Sequence, residues 1–273
     1  MKLTFEQSVS PECLELMWSA FFAERNRGRS LVEHFPWLTD LRRTRAWLAT
    51  LRDDRAQAVA CLAVKRHFDH VDTASIGLVC VRADLRGQGL SQSLLANAIR
   101  QAGALGMTRL TLWTGKPAVY VRHGFQTRDP ALFGWVRNTS VSASPATVAG
   151  RRIAWPDSEE SQGSNRGLPP FAVEAYRLID GLDRAQAVIV VDRSGPIVAE
   201  WSGDDVDVAH LLRAELPPTW RLNALRGDTL PAALQAGGVD VDLAESGLQM
   251  WQTGAVAAIA QTPLPRLRFL DRI

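Results

Sequence analysis

Apolar residues recur with a period near 3.6 through PECLELMWSAFFAERN, where Leu14, Met17, Trp18, Phe21 and Phe22 share one helical face after a short strand-like stretch over residues 3–7. An Arg-rich connection leads to RAWLATLRDD, AVACLAVKRHF and DTASIGLVCV, three β-type runs separated by charged or turn-forming residues, so an antiparallel meander is expected. A helix follows from about Ser91 to Leu105, with Leu90, Leu94, Ala98, Ile99, Ala102 and Leu105 on one face and Gly106 as its stop. MTRLTLWT is the next strand, PAVYVRHG a short helix opened by Pro117, and FGWVRN a last strand.

Residues 139–170 are rich in Ser, Gly and Pro and hold one possible strand around Ile153, which marks a boundary. Beyond it the pattern gives a helix in FAVEAYRLIDGL, strand AVIVVD, turn RSG, strand PIVAEW, helix DVAHLLRAEL, strand WRLNAL, helix LPAALQAGG and strand GLQMWQT. The expectation is an α/β (α+β) chain: a mixed, mostly antiparallel sheet flanked by helices over residues 1–140, a linker over 141–169, and a second, smaller domain over 170–273.

Composition changes this picture little: 46% hydrophobic and 22% charged residues are ordinary for a globular protein, and 273 residues suit two compact units. No run of about 18 apolar residues occurs, and MKLTFEQSVS lacks the apolar stretch of a signal peptide, so the expectation is a cytoplasmic protein with no membrane partner. Cys13, Cys61 and Cys80 form no CxxC pair, which points to buried, reduced thiols and to no metal. Lys and Arg number 19 against 12 Asp and Glu over residues 1–148, and 12 against 17 afterwards, giving +7 and −5. A mildly basic first half suits a phosphorylated small ligand, or is simply unselected surface charge, and it is too dilute for nucleic acid.

The chemistry lies where VCVRADLRGQGLSQSLL passes from strand to helix. Arg86-Gly87-Gln88-Gly89-Leu90-Ser91 puts glycines and unpaired N–H groups at a helix start, where the dipole favours an anion. A dinucleotide fingerprint needs a small residue at position 92, which is Gln, and a Walker loop needs Gly-Lys-Ser/Thr, which Gly115-Lys116-Pro117 does not supply. What remains is a pyrophosphate-cradling turn after an antiparallel meander. It resembles the GNAT superfamily of acetyl-CoA-dependent N-acetyltransferases, whose Arg/Gln-x-x-Gly-x-Gly/Ala signature is met by Arg86 and Gly89, with Ser91 as a small departure. A second segment agrees: Tyr120 stands four positions before Gly124-Phe125, about 30 residues after the turn. The resemblance covers about residues 1–138.

It implies acetyl-CoA as cosubstrate, with the pantetheine arm on the backbone of Val79, Cys80 and Val81 and the pyrophosphate on Arg86, Gly87, Gln88, Gly89, Leu90 and Ser91; Arg82 and Arg86 would add charge. Tyr120 is the implied proton donor to the leaving thiolate, its reference pKa of about 10 keeping it protonated at neutral pH; the alternative is a ring merely packed under the helix. Many relatives place a Glu on the strand before the turn, and here that position is Gly77. Asp72, His70 or backbone carbonyls through water, or direct binding of the neutral amine with no base, remain open. His67 and His70 in HFDH read as a solvated loop. Glu24, Glu33, His34 and Asp40, with Trp37 and Trp113, are acceptor-side candidates, or ordinary surface and core.

The implied reaction is direct attack, in a ternary complex, by a primary amine of a small molecule. A protein or peptide acceptor and a non-catalytic acyl-CoA sensor are the alternatives, and the chain is expected as monomer or homodimer. The second half resembles a degenerate GNAT-like domain: AVIVVDRSGPIVAEW looks like the central hairpin, but SGDDVDVAHLL replaces the cofactor turn with Asp204, Asp205 and Asp207, which repel a pyrophosphate. One working cofactor site per chain is therefore expected, with the second domain packing against the first and helping to close the acceptor pocket.

Overall fold

The structure is a computed structural model that describes residues 1–23, 29–138, 150–156, 166–254 and 263–272. Its chain divides into two units, one made of Met1–Arg128, Leu248–Pro265 and Arg272–Ile273, the other of Asp129–Gly247 and Arg266–Asp271.

In the first unit β1 (Lys2–Glu6), β2 (Ala46–Arg52), β3 (Ala58–Arg66) and β4 (Thr73–Val81) pair in the expected antiparallel meander. Helix α1 (Pro11–Phe21) opens on Ser10, whose Oγ accepts from the Cys13 N–H, and Pro11 fills a position that needs no donor. Its buried Cys13, Leu16 and Met17, together with Leu31, Phe35, Trp37 and Leu38 from α2 (Leu31–His34) and the following 3₁₀ turn Pro36–Thr39, cover one face of β2, β3 and β4. Helix α3 (Leu90–Ala104) covers the other face through Leu94, Leu95, Ala98 and Ala102. Burying a leucine of this kind contributes about 2 kcal/mol. Because a helix intervenes, β5 (Arg109–Trp113) runs parallel to β4. α4 (Ala118–Val121) and β6 (Gln126–Thr127) follow.

The second unit repeats this plan. β8 (Arg151–Ala154), β9 (Glu174–Ile179), β10 (Ala185–Asp192) and β11 (Gly195–Gly203) form the meander, α5 (Asp205–Glu215) crosses to a parallel β12 (Thr219–Leu225), and α6 (Leu230–Ala236) and β13 (Asp240–Glu245) follow. Among the described residues it has no counterpart of α1 and α2; Leu168, Ala172, Phe269 and Leu270 pack on that face instead.

Three features differ from the sequence expectation. FAVEAYRLIDGL contains strand β9 rather than a helix: Ala172, Ala175, Leu178 and Ile179 are buried at spacings that also fit a helix, but β8 and β10 hydrogen-bond both edges of the segment, and that pairing overrides local pattern. β13 was not anticipated, because it is an edge strand whose Asp240 and Asp242 face out. Most consequentially, the last strands are exchanged. β7 (Ala131–Arg137), expected to close the first sheet, lies between β12 and β13 of the second, and β14 (Gln249–Thr253), expected to close the second, lies between β5 and β6 of the first. The chain accordingly first passes from one unit to the other at Arg128 and Asp129, ahead of the 141–169 segment expected as the linker.

Side chains specify both placements. A Cβ on Gly134 of β7 would lie 2.0 Å from the Asp242 carbonyl oxygen, so only glycine lets β13 approach there. In the first unit Met250 enters the core beside Leu110 and Leu112, while Thr111 Oγ1 donates to the Met250 carbonyl at 2.9 Å and accepts from Gln249 Nε2 at 3.1 Å. A chain ending at residue 145 therefore lacks an interior strand of its first sheet and is expected to lose cooperative thermal unfolding by circular dichroism. Met250→Ala alone should cost about 2–5 kcal/mol. Cooperative melting of the 1–145 fragment near the temperature of the full chain contradicts the exchange.

Candidate active site

The strand β4 changes character along its length. Ala74 and Ile76 point to the α3 core, while Ser75 points to the opposite face. At Leu78 the backbone enters the left-handed region, with φ 52°, and the register with β3 shifts: Ala63 faces Gly77 but Cys61 faces Cys80, so one residue of β3 opposes two of β4. This bulge costs about 1 kcal/mol for a leucine. It places Leu78 and Cys80 on the α1 side and Val79 and Val81 on the α3 side.

On its other edge β4 pairs with β5 only from Thr73 to Ser75, opposite Arg109 to Thr111. β4 continues to Val81 and β5 to Trp113 without pairing, so a strand edge opens within the sheet just where Val79, Cys80 and Val81 stand. The three do not act alike: Val79 and Val81 border the α3 core, whereas the Cys80 side chain is buried on the far face, its Sγ 3.3 Å from that of Cys61. All three cysteines are free and buried, as expected.

Beyond β4, a 3₁₀ turn over Ala83–Leu85 leads to Arg86 and the glycines. Gly87 and Gly89 have φ of 81° and 75°, and a Cβ at either would meet nothing within 4 Å. Backbone conformation rather than crowding thus calls for glycine, and the space before it is open. Gly89 is the N-cap of α3; with no side chain to accept from the first turn, the N–H groups there face outward at the positive end of the dipole. Arg86 donates from Nε to the Val81 carbonyl at 3.3 Å. Arg82, by contrast, is held by Asp84 at 2.8 Å and Asp53 at 3.6 Å, which raise its pKa, so its charge is already matched and the expected help to an anion is reduced. A cavity of about 420 Å³ adjoins the turn, lined by Glu12, Glu15, Ser19, Gln57, Arg82 and Arg86 among others.

Tyr120 lies on α4, against the same core cluster that Val79, Val81 and Leu90 border, its ring edge-on to Phe125 at 6.1 Å. Gly124, at φ 82°, turns the chain so that Phe125 fills the core at 1% exposure. Burial raises the Tyr120 pKa above its usual value near 10. His123 is half-buried, and burial followed by the Arg122 charge lowers its pKa.

The other candidates sort by distance and partner. Burial alone would raise the Asp72 pKa, but hydrogen bonds from Thr108 and Thr73 and the Arg109 charge outweigh it and hold the carboxylate ionised. It also lies five residues from Gly77, roughly 16 Å along a strand. Glu33 forms a capping box with Ser30, Asp40 accepts from the Arg43 N–H at 3.0 Å, and His34 is buried on Phe22. Trp37 is core at 2% exposure and Trp113 is half-buried; Glu24 lies outside the described residues. Sequence reading passed over one pairing: His67 Nε2 sits 2.7 Å from Ser75 Oγ. The available signal was a lone serine between Ala74 and Ile76 in an otherwise apolar strand.

In the second unit β11 and β12 also part, after Val198 and Leu222. There α5 is capped by Asp204, whose carboxylate accepts from the N–H groups of Val206 and Asp207. Asp205 accepts from Trp201 Nε1 at 3.1 Å and from Thr229. The helix start is both filled and negative. No group of three or more potential metal ligands occurs, and no helix is long and apolar enough to cross a membrane, among the described residues.

Residues 10–125 match the acetyltransferase (GNAT) family. No curated protein matches the chain. Among solved structures it is similar to a GCN5-related N-acetyltransferase from Anabaena variabilis, at 12% identity and TM-score 0.62 over 92% of this chain and 72% of that one. A GCN5-related N-acetyltransferase from Kribbella flavida (14%, 0.58, 92% and 71%) and Eis1 from Mycobacterium abscessus (12%, 0.59, 94% and 75%) are also similar. At these identities the likeness is one of fold, and it extends over both units.

Tyr120 and Tyr176 are the only two tyrosines, and burial raises the pKa of both. The folded protein should release phenolic protons at higher pH than the unfolded chain, so stability falls as pH rises from about 10 through the raised values. Tyrosinate absorbance followed on wild type and Tyr120→Phe checks this; a Tyr120 signal at or below the unfolded midpoint contradicts its burial.

Proposed function

We propose that this chain, whose residues 10–125 form an acetyltransferase (GNAT) domain and which is accordingly an acyltransferase, transfers acetyl from acetyl-CoA to the primary amine of a small molecule by direct attack in a ternary complex. The observation that carries this reading is the open edge of β4 leading directly into the uncapped N-terminus of α3. The edge offers backbone N–H and C=O groups of Val79 and Val81 to the amides of the pantetheine arm, while those of Cys80 between them face β3. The turn from Arg86 through Gly87, Gln88, Gly89, Leu90 and Ser91 offers N–H groups to the pyrophosphate. Arg86 supplies the remaining positive charge.

Tyr120, held neutral by burial, protonates the sulfur as the C–S bond breaks. An enclosed amine suits this domain better than a polypeptide, because Phe35, Trp37 and Leu38 pack down over the α1 face beside Leu78. The filled, acidic start of α5 leaves one cofactor site per chain.

Acetyl-CoA at 100 times its Kd should stabilise the fold by about 2.7 kcal/mol, read as a rise in Tm. Gly89→Asp should abolish the rise: aspartate tolerates the left-handed backbone but places a carboxylate against the pyrophosphate. Tyr120→Phe should lower kcat by about 10- to 10³-fold in a CoA-release assay with amines and N-terminal peptides, with little change in acetyl-CoA affinity. An unchanged Tm rise in folded Gly89→Asp removes the cofactor assignment, and wild-type turnover by Tyr120→Phe returns that residue to a packing role.

A further inference from the structure

Deprotonation of the acceptor has no carboxylate at Gly77, and the fold supplies another group in its place. Ser75 and Thr111 are the last residues paired before β4 and β5 part, so their side chains stand at the bottom of the opening. Laterally paired residues share a face. Lys65, Ser75, Thr111 and Trp251 therefore form one row across β3, β4, β5 and β14, on the side away from Ala74, Ile76 and the α3 core. Gly77, two residues on, faces the same way, about 7 Å along the strand.

Two polar groups on this row are unusual. Ser75 is fully buried, and its Oγ lies 2.7 Å from His67 Nε2. Trp251, 2% exposed, has a buried indole N–H with no hydrogen-bond partner among the described residues. His67 is half-buried at the end of β3, where its own N–H bonds the Thr73 carbonyl, so it reaches Ser75 from one side and solvent from the other.

We infer that Ser75 and His67 form the proton exit of the acetyl-transfer site, Ser75 Oγ taking the proton of the attacking amine and passing its own to His67 Nε2. This rests on the acetyl-transfer reading above. As the N–C bond forms and the C–S bond breaks, the nitrogen loses its proton to Ser75 through one water above Gly77. Ser75 hands its hydroxyl proton to the neutral imidazole, in the tautomer that leaves Nε2 as acceptor. Tyr120 gives its proton to the thiolate. The imidazolium then releases a proton to solvent and Tyr120 takes one back, so the turnover is proton-neutral. Ser75, itself fully buried, receives the proton through that water, and His67 acts through Ser75.

The charged and titratable groups on the elements around His67 are Lys65 and Arg66 of β3, Asp69, His70 and Asp72 of the hairpin, Arg45 before β2 and Arg109 of β5. Asp72 pairs with Arg109, Arg66 donates to the Val71 carbonyl, Arg45 lies over Phe68, and Lys65 over Trp37.

The test is the pH profile of kcat/KM for wild type, His67→Gln and Ser75→Ala, using an acceptor amine that is neutral across the range scanned, with acetyl-CoA binding measured alongside. Wild type should lose rate on the acid side as the imidazole protonates. Both variants should lose that acid limb and about 10- to 10³-fold in kcat, while their acetyl-CoA Kd stays at the wild-type value. Ser75→Ala removes only a hydroxyl, so it serves where His67→Gln does not fold. An acid limb that persists in a folded variant overturns the relay and leaves the acetyl-transfer reading standing. Failure of wild type to bind acetyl-CoA overturns that reading, and the relay with it.

Discussion

A strand edge opened inside a sheet is the constraint on which the first unit depends. Unpaired backbone groups away from water are costly, and sheets ordinarily leave none. Here β4 and β5 stay paired for three residues and then part, and three devices hold them apart. The bulge at Leu78 redirects β4, α3 begins on glycine so that its first turn completes the opening, and α4 sets Tyr120 against the same core. Each is fixed by buried apolar side chains: Leu94 and Leu95 under α3, Phe125 under α4, and Leu78 against the α1 side. Rigidity around an edge with unsatisfied groups is what a preformed site for an extended, amide-bearing, anionic ligand requires.

The second unit shows what the same plan becomes when one helix start is altered. Its strands part at the equivalent place, yet Asp204 occupies the N–H groups of α5, and Asp205 is engaged by Trp201 and Thr229. Relative to glycine, a carboxylate cap stabilises a helix by roughly a few tenths of a kcal/mol. That is the local advantage α3 forgoes by beginning on Gly89. Stability and binding draw on the same N–H groups, and the two units have settled the competition in opposite ways.

Much of this was legible in the chain. The period of 3.6 marked α1 and α3, alternation marked the meander, and the glycines of Arg86-Gly87-Gln88-Gly89 marked a turn whose positive φ values the structure contains. Illegible were the features set by partners far along the chain. Local pattern makes Ala131–Arg137 and Gln249–Thr253 strands but is silent on which sheet receives them; that depends on the missing Cβ of Gly134 and on Met250 fitting beside Leu112. β9 resembled a helix because its burial spacing suits both periods. The His67 and Ser75 contact joins residues on either side of a hairpin, and a histidine in HFDH carries no mark of the serine it meets.

The central claim is that the parted strands and open helix start of the first unit, and not those of the second, hold the donor. Calorimetric titration of the full chain with acetyl-CoA tests it most directly. One acetyl-CoA bound per chain is the predicted result; two per chain, or none, contradicts it.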